Sequence, residues 1–183
     1  MLHLDAAWLQ SVRGGTRDGI ERAEAIRIVS DPAAYRRFCQ LNALLFAEVA
    51  APLKEAALVA FMSDCDAQAG WQVPALEPPT VLAERIRPAM ARMRATPAAC
   101  PGLDELAPLA QMSAYQLIRA WRLVTGMTPH AWLLNHRVNL AREGVREARP
   151  LAALAQELGF ADQAHLQRVF KAHAGVTPGG YRR

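Results

Sequence analysis

Apolar residues recur along most of this chain at intervals of three and four, and after Thr80 no stretch alternates in the way a half-buried strand would. Asp31-Pro32 combines a capping residue with a proline suited to the first helical position, and Tyr35, Phe38, Leu41, Leu45 and Val49 then share one stripe. Aromatics at that spacing, Tyr35 and Phe38, read as core residues rather than as the wall of a ligand pocket. A second helix is expected from Pro52 to about Asp66. Residues 1–30 are less regular, with turn signals at Arg13-Gly14-Gly15 and a candidate short strand from Ala25 to Val29. The segment GWQVPALEPPT, Gly70 to Thr80, holds three prolines and no helical period, which marks a linker.

Beyond the linker the pattern predicts short helices separated by turns, with Pro88 expected to break or begin the first of them. Leu103, Leu106, Ala107 and Ala110 form one stripe. Ser113 is placed to cap the next helix, whose stripe is Leu117, Ala120, Trp121 and Val124, and a turn of about three residues joins the two. Gly126 ends that helix. Thr128-Pro129 opens a longer one, on which Ala131, Leu134, Val138, Ala141 and Val145 repeat. The helix pair then returns: Leu151, Leu154, Ala155 and Leu158 on one element, Leu166, Val169 and Phe170 on the next, with Gly159-Phe160 at the turn.

The copies can be superposed by counting. Leu117, Arg119, Trp121, Arg122, Gly126, Thr128 and Pro129 match Leu166, Arg168, Phe170, Lys171, Gly175, Thr177 and Pro178 at a shift of 49, whereas Leu103 matches Leu151 at 48. One residue has been added around Phe160 to Gln163. The chain thus divides into an irregular segment (1–30), a helical hairpin (31–69), a proline-rich linker (70–79) and a mainly α domain (80–183). That domain carries helix-turn-helix pairs at about 103–125 and 151–173, joined by a long helix at about 129–148.

Composition sharpens this picture. A chain of 183 residues with 52% hydrophobic content can bury a core without staples. Its three cysteines have no paired spacing, which argues for a reducing compartment, and the N-terminus lacks the apolar run of a secretory signal. A cytoplasmic protein away from the membrane is expected. Up to Leu82 the chain has seven Lys/Arg against ten Asp/Glu, and after it fourteen against seven. Nineteen of the 21 basic residues are arginines, whose forked donors suit phosphates and guanine edges.

The second helix of a helix-turn-helix pair can enter a major groove about 12 Å wide while the first braces it across the phosphates. With Leu117 and Trp121 inward, Ala114, Tyr115, Ile118, Arg119 and Arg122 would face outward; on the second copy Gln163, Ala164, Gln167, Arg168 and Lys171 would do so. Such faces can also be no more than the solvated side of a bundle, but two copies with matching basic residues weigh toward DNA. The five histidines show no metal-ligand spacing with Cys or Glu, and no phosphate-cradling glycine loop or catalytic triad is evident. No enzyme, metal site or cofactor is expected.

The runs LDELAPLAQMSAYQLIRAWRLVTGMTPHAWLLNHRVNLA and LAALAQELGFADQAHLQRVFKAHAGVTPGGYRR resemble the DNA-binding domain of AraC/XylS-type transcriptional regulators, most specifically at Gly159-Phe160, Phe170-Lys171, Gly175-x-Thr177-Pro178 and Tyr181-Arg182. The resemblance implies seven helices in 80–183, recognition of double-stranded DNA in two adjacent major grooves, and an activator that recruits RNA polymerase. It implies base reading by Tyr115, Ile118 and Arg119 on one helix and by Gln163, His165, Gln167 and Arg168 on the other; beside them Arg122, Lys171 and Ser113 are expected at phosphates. Departures occur at Trp121 and Leu166, which should still pack, and at Pro108, which could bend the first bracing helix. Asn135, Asn139, Arg142, Arg146 and Arg149 on the long helix read as a solvated stripe in preference to phosphate contacts. The acidic part resembles the remnant of an effector and dimerisation domain, so a homodimer through residues 31–66 is expected, and a small-molecule effector is left open. An interaction or anti-activator module that kept the fold without specific DNA binding is the alternative.

Overall fold

The computed structural model describes residues 5–13, 31–68 and 77–182. The expected strand at Ala25 to Val29 and most of the expected linker, including Trp71, lie outside them. Among the described residues all regular structure is helical: α1 (Ala6–Arg13), α2 (Pro32–Phe46), α3 (Ala51–Gln68), α4 (Pro79–Ala95), α5 (Leu103–Leu109), α6 (Ala114–Thr125), α7 (Pro129–Arg146), α8 (Leu151–Glu157), α9 (Gln163–Ala174) and α10 (Pro178–Tyr181). The seven helices expected after the linker are α4 to α10. None of the described helices is long and apolar enough to cross a membrane.

The sequence signals that start and stop these helices act through identifiable hydrogen bonds. Asp31 caps α2 by accepting from the amides of Ala33 (2.8 Å) and Ala34 (3.1 Å), ahead of Pro32 at the first helical position. Pro88 does not break α4, contrary to expectation. It lies inside the helix with its ring exposed, where water can replace the N–H that proline lacks. Pro108 is likewise exposed and stands one residue from the end of α5, so it removes only a terminal bond.

The chain forms two compact units, each with its own core. Residues 1–89 and 101–129 make the first, so the acidic hairpin and the first helix-turn-helix pair belong together. Helix α3 packs against α2 on one side and against α6 on another, and α6 also meets α1 and α5. The buried side chains here include Val59, Leu82, Ile86, Leu106, Leu117 and Trp121. Full burial of residues of this size contributes about 1.5–3 kcal/mol each. Tyr35, expected in the core, is instead 69% exposed, because α2 turns toward α3 through Leu41 and through Phe38, whose ring stands 6.1 Å from that of Phe61.

Residues 90–100 and 130–183 make the second unit. Its core joins Val138, Ala141 and Val145 of α7 to Leu154, Ala155 and Leu158 of α8, and to Phe160, Leu166 and Phe170. Tyr181 closes the end of this core edge-on against Phe170, with ring centroids 5.3 Å apart. The one buried arginine among the described residues, Arg137, reaches from α7 into the turn region. It donates to the carbonyls of Pro97 (2.7 Å), Gly159 (2.9 Å), Ala99 (3.1 Å) and Ala98 (3.2 Å).

Candidate nucleic-acid interface

The repeated pairs are the same device at the level of single residues. Helices α5 and α8 each have seven residues and α6 and α9 each have twelve, so the extra residue of the second copy is taken up entirely in the turn. Both turns use a left-handed residue at the equivalent place, Gln111 (φ 53°) and Gly159 (φ 74°). The difference in residue type follows from what lies alongside. A Cβ on Gly159 would fall 2.4 Å from the Ala98 carbonyl oxygen, so only glycine fits, whereas Gln111 is exposed.

Capping also repeats. Ser113 Oγ accepts from the Gln116 amide (3.2 Å) while Gln116 Oε1 accepts from the Ser113 amide (3.0 Å), a reciprocal pair that fixes the first turn of α6. Asp162 caps α9 by accepting from the His165 amide at 2.6 Å. Both helices end on a left-handed glycine, Gly126 (φ 74°) and Gly175 (φ 75°), whose amides donate to Arg122 and Lys171 carbonyls.

On α9 the outward face lies where expected. Gln163, Ala164, Gln167, Arg168 and Lys171 are all exposed, on a helix held from beneath by Leu166 and Phe170. His165 differs from these. It is half-buried, its Nδ1 accepts from the Ala161 amide at 3.3 Å, and its ring stands edge-on to Phe160 at 5.6 Å. The imidazole therefore supports the turn.

The outward face expected on α6 is not outward. Tyr115 is 7% exposed and Ile118 fully buried, because α3 packs over the side of α6 opposite to Leu117 and Trp121. Two carboxylates of α3 define the contact. Asp66 Oδ2 accepts from the Tyr115 hydroxyl at 2.9 Å, and Asp64 Oδ1 accepts from Arg122 Nη1 at 2.6 Å. Arg122 also leans on the Ala60 carbonyl (3.5 Å), and the Arg119 guanidinium lies 5.8 Å from the centre of the Tyr115 ring. Burial, reinforced by Asp66, pushes the Tyr115 hydroxyl up to about 12, so it stays a neutral donor at any physiological pH. Asp64 and Asp66 were not signalled by sequence. They lie 49 or more residues before their partners, and no local pattern links them.

The stripe expected on α7 is partly engaged within the unit rather than merely solvated. Arg142 donates to Asn139 Oδ1 (3.1 Å) and to the His173 carbonyl (3.3 Å) and Arg146 to the Tyr181 hydroxyl (2.8 Å), whereas Arg149, expected on the same helix, lies beyond its end and pairs with Glu157. Among the described residues no group of three or more His, Cys, Asp or Glu is placed to hold a metal ion.

Known proteins resemble the part of the chain that carries these pairs. A family model described as a helix-turn-helix domain matches residues 106–183. The regulatory protein SoxS of Salmonella typhimurium is 32% identical over 81 residues, which is 44% of this chain and 76% of SoxS. The RCS-specific HTH-type transcriptional activator RclR of Escherichia coli K12 is 33% identical over 81 residues, and the chain spans only 28% of its length. An "AraC-like transcription regulator" of Streptomyces antibioticus is 31% identical over 119 residues, 64% of this chain and 37% of that protein. In fold, the chain is similar to the crystal structure of an AraC-type DNA-binding domain regulator from Chromobacterium violaceum, with a TM-score of 0.51 and 23% identity over 54% of this chain and 89% of that one. With two capped helix pairs of equal dimensions and this similarity over most of SoxS, the chain belongs to the AraC-type family of helix-turn-helix regulators.

Proposed function

We propose that this chain is a sequence-specific DNA-binding transcription regulator whose α9 reads base edges in a major groove. The observation that carries this reading is the exposed row Gln163, Gln167, Arg168 and Lys171 on a helix whose other face is locked into a core. Arg can bond guanine bidentately and Gln adenine, each such pair supplying about 1–3 kcal/mol of discrimination. Lys171, a turn further on, suits a phosphate. Helix α6 is the second reader, through Tyr115, Ile118 and Arg119, with Arg122 and the Ser113 hydroxyl at phosphates; the Ser113 oxygen accepts in its cap and keeps its proton to donate.

The regulator is proposed to activate by recruiting RNA polymerase, by analogy with RclR, a transcriptional activator. Self-association is assigned to α2, which exposes Phe46 (84%) and Tyr35. The apolar residues of α3, Ala56, Val59 and Met62, are already buried within the unit and do not need a second copy.

Selection of bound duplexes from a random pool tests the reading. The expected result is enrichment of two half-motifs about 10 base pairs apart. A pool that stays random after repeated rounds would leave the alternative, a fold kept for protein contacts, which is favoured by the burial of Tyr115 and Ile118. The two also differ in salt response, since a DNA reader loses affinity with a log–log slope of about −0.9 per phosphate neutralised.

A further inference from the structure

The same contact that hides Tyr115 and Ile118 carries a consequence for control. A helix with its side chains is about 10–12 Å across, and the major groove is about 12 Å wide. Two helices packed together stand about 8–10 Å apart. A groove can therefore admit α6 by itself, but it cannot admit α6 with α3 lying on its reading face.

We propose that α3 is an intramolecular cover for the first recognition helix, held by carboxylates that stand in for DNA. The inference rests on the DNA-reading function proposed above. Its chemistry is that of competition between anions. Arg122, placed to meet a phosphate, meets Asp64 instead, and Tyr115, placed to meet a base, meets Asp66. Apolar burial of Ile118 adds a part that does not depend on charge. The acidic hairpin thus masks the basic reader in the same compact unit. Duplex bound through α9 competes for Arg122 at high local concentration. The first copy is then competent only in the fraction of molecules whose α3 has moved away, and apparent affinity is reduced by that fraction.

The test uses the full chain on duplexes recovered by selection. Asp64→Ala and Asp66→Ala should each tighten binding, by ~10-fold if the closed form dominates, and should extend the footprint over the second half-motif. Asp66→Asn, which still accepts from Tyr115, should stay near the parent. Glu48→Gln, an exposed acidic position on the same hairpin, controls for the change in net charge and should alter binding by less than ~2-fold. Asp64 is partly exposed and Asp66 buried, so Asp64→Ala is expected to disturb folding less than Asp66→Ala and keeps the test usable. Hydrogen exchange on the unmodified chain gives an independent reading: specific duplex should protect α9 and α6 and speed exchange in α3. If duplex is bound over both half-motifs while α3 exchange is unchanged and Asp64→Ala behaves like Glu48→Gln, the cover is disproved and DNA reading survives. If no duplex is selected by the parent or by either alanine variant, it is the DNA-reading function that falls.

Discussion

The Arg137 guanidinium donates to the Gly159 carbonyl at 2.9 Å, and through its remaining nitrogens it holds the backbone of residues 97–99 against the same turn. One buried side chain thereby satisfies four carbonyls that have no amide partner in a helix. Removing it strands them in a part-buried site. Arg137→Met, similar in length but without donors, should destabilise the second unit by on the order of 3 kcal/mol. Thermal unfolding followed by circular dichroism measures this; a midpoint within a degree of the parent would show that the four bonds contribute nothing net.

Gly159 and Gly126 share a left-handed backbone but not their surroundings. Alanine at Gly126 meets nothing within 4 Å and should cost only the conformational penalty, about 1–2 kcal/mol. Alanine at Gly159 adds a collision with the Ala98 backbone that no flexible side chain can relieve. Gly159→Ala should therefore be the more damaging by at least ~1 kcal/mol, and urea titrations of the two variants side by side decide it.

The two basic residues of α9 should fail in different ways. Arg168→Ala is expected to relax preference at one base position while other positions keep theirs, at about 1–3 kcal/mol for that base. Lys171→Ala should weaken all duplexes alike and reduce the salt slope by about 1. Binding to a set of single-base-changed duplexes at several salt concentrations separates the outcomes. An Arg168→Ala preference table identical to the parent's would remove α9 from base reading.

His130, at the start of α7, is held down to about 4, first by burial and then by the nearby Arg137 charge. An unfolded histidine titrates near 6.5. The folded chain thus binds fewer protons between these values, so the stability tied to the neutral ring is intact above about pH 6.5 and is lost as pH falls through 4. His130→Gln should flatten that part of the stability–pH curve. Urea midpoints at neutral pH and at about pH 5 measure the slope; an unchanged slope would assign the acid sensitivity elsewhere.

Much of the fold was legible because its punctuation is local. Asp31-Pro32, Ser113, Gly126 and Gly175 act within one helical turn, and the 48 and 49 shifts place the added residue in the second turn from sequence alone. Pro88 misled because a proline on a wet face leaves its carbonyl partner to water. The face of α6 misled for a deeper reason. Leu117 and Trp121 announce one buried side, but a helix covered on two sides has a polar-looking second face if the covering helix brings carboxylates to meet it. Asp64 and Asp66 did so from far upstream. A lone arginine amid Leu134, Val138 and Ala141 was the available hint of Arg137, since a charge in an apolar row must find partners.

The unequal accessibility of the two copies bears on how quickly a genome is searched. A chain sliding over random sequence is slowed by every phosphate it grips. On the proposed reading, with Arg122 engaged by Asp64, that grip would be weaker on wrong sites and they would be left sooner. Under the proposed cover, the full hold would form only where α9 has lingered on matching bases, and a stapled helix would then act as a dwell-time filter between sampling and commitment.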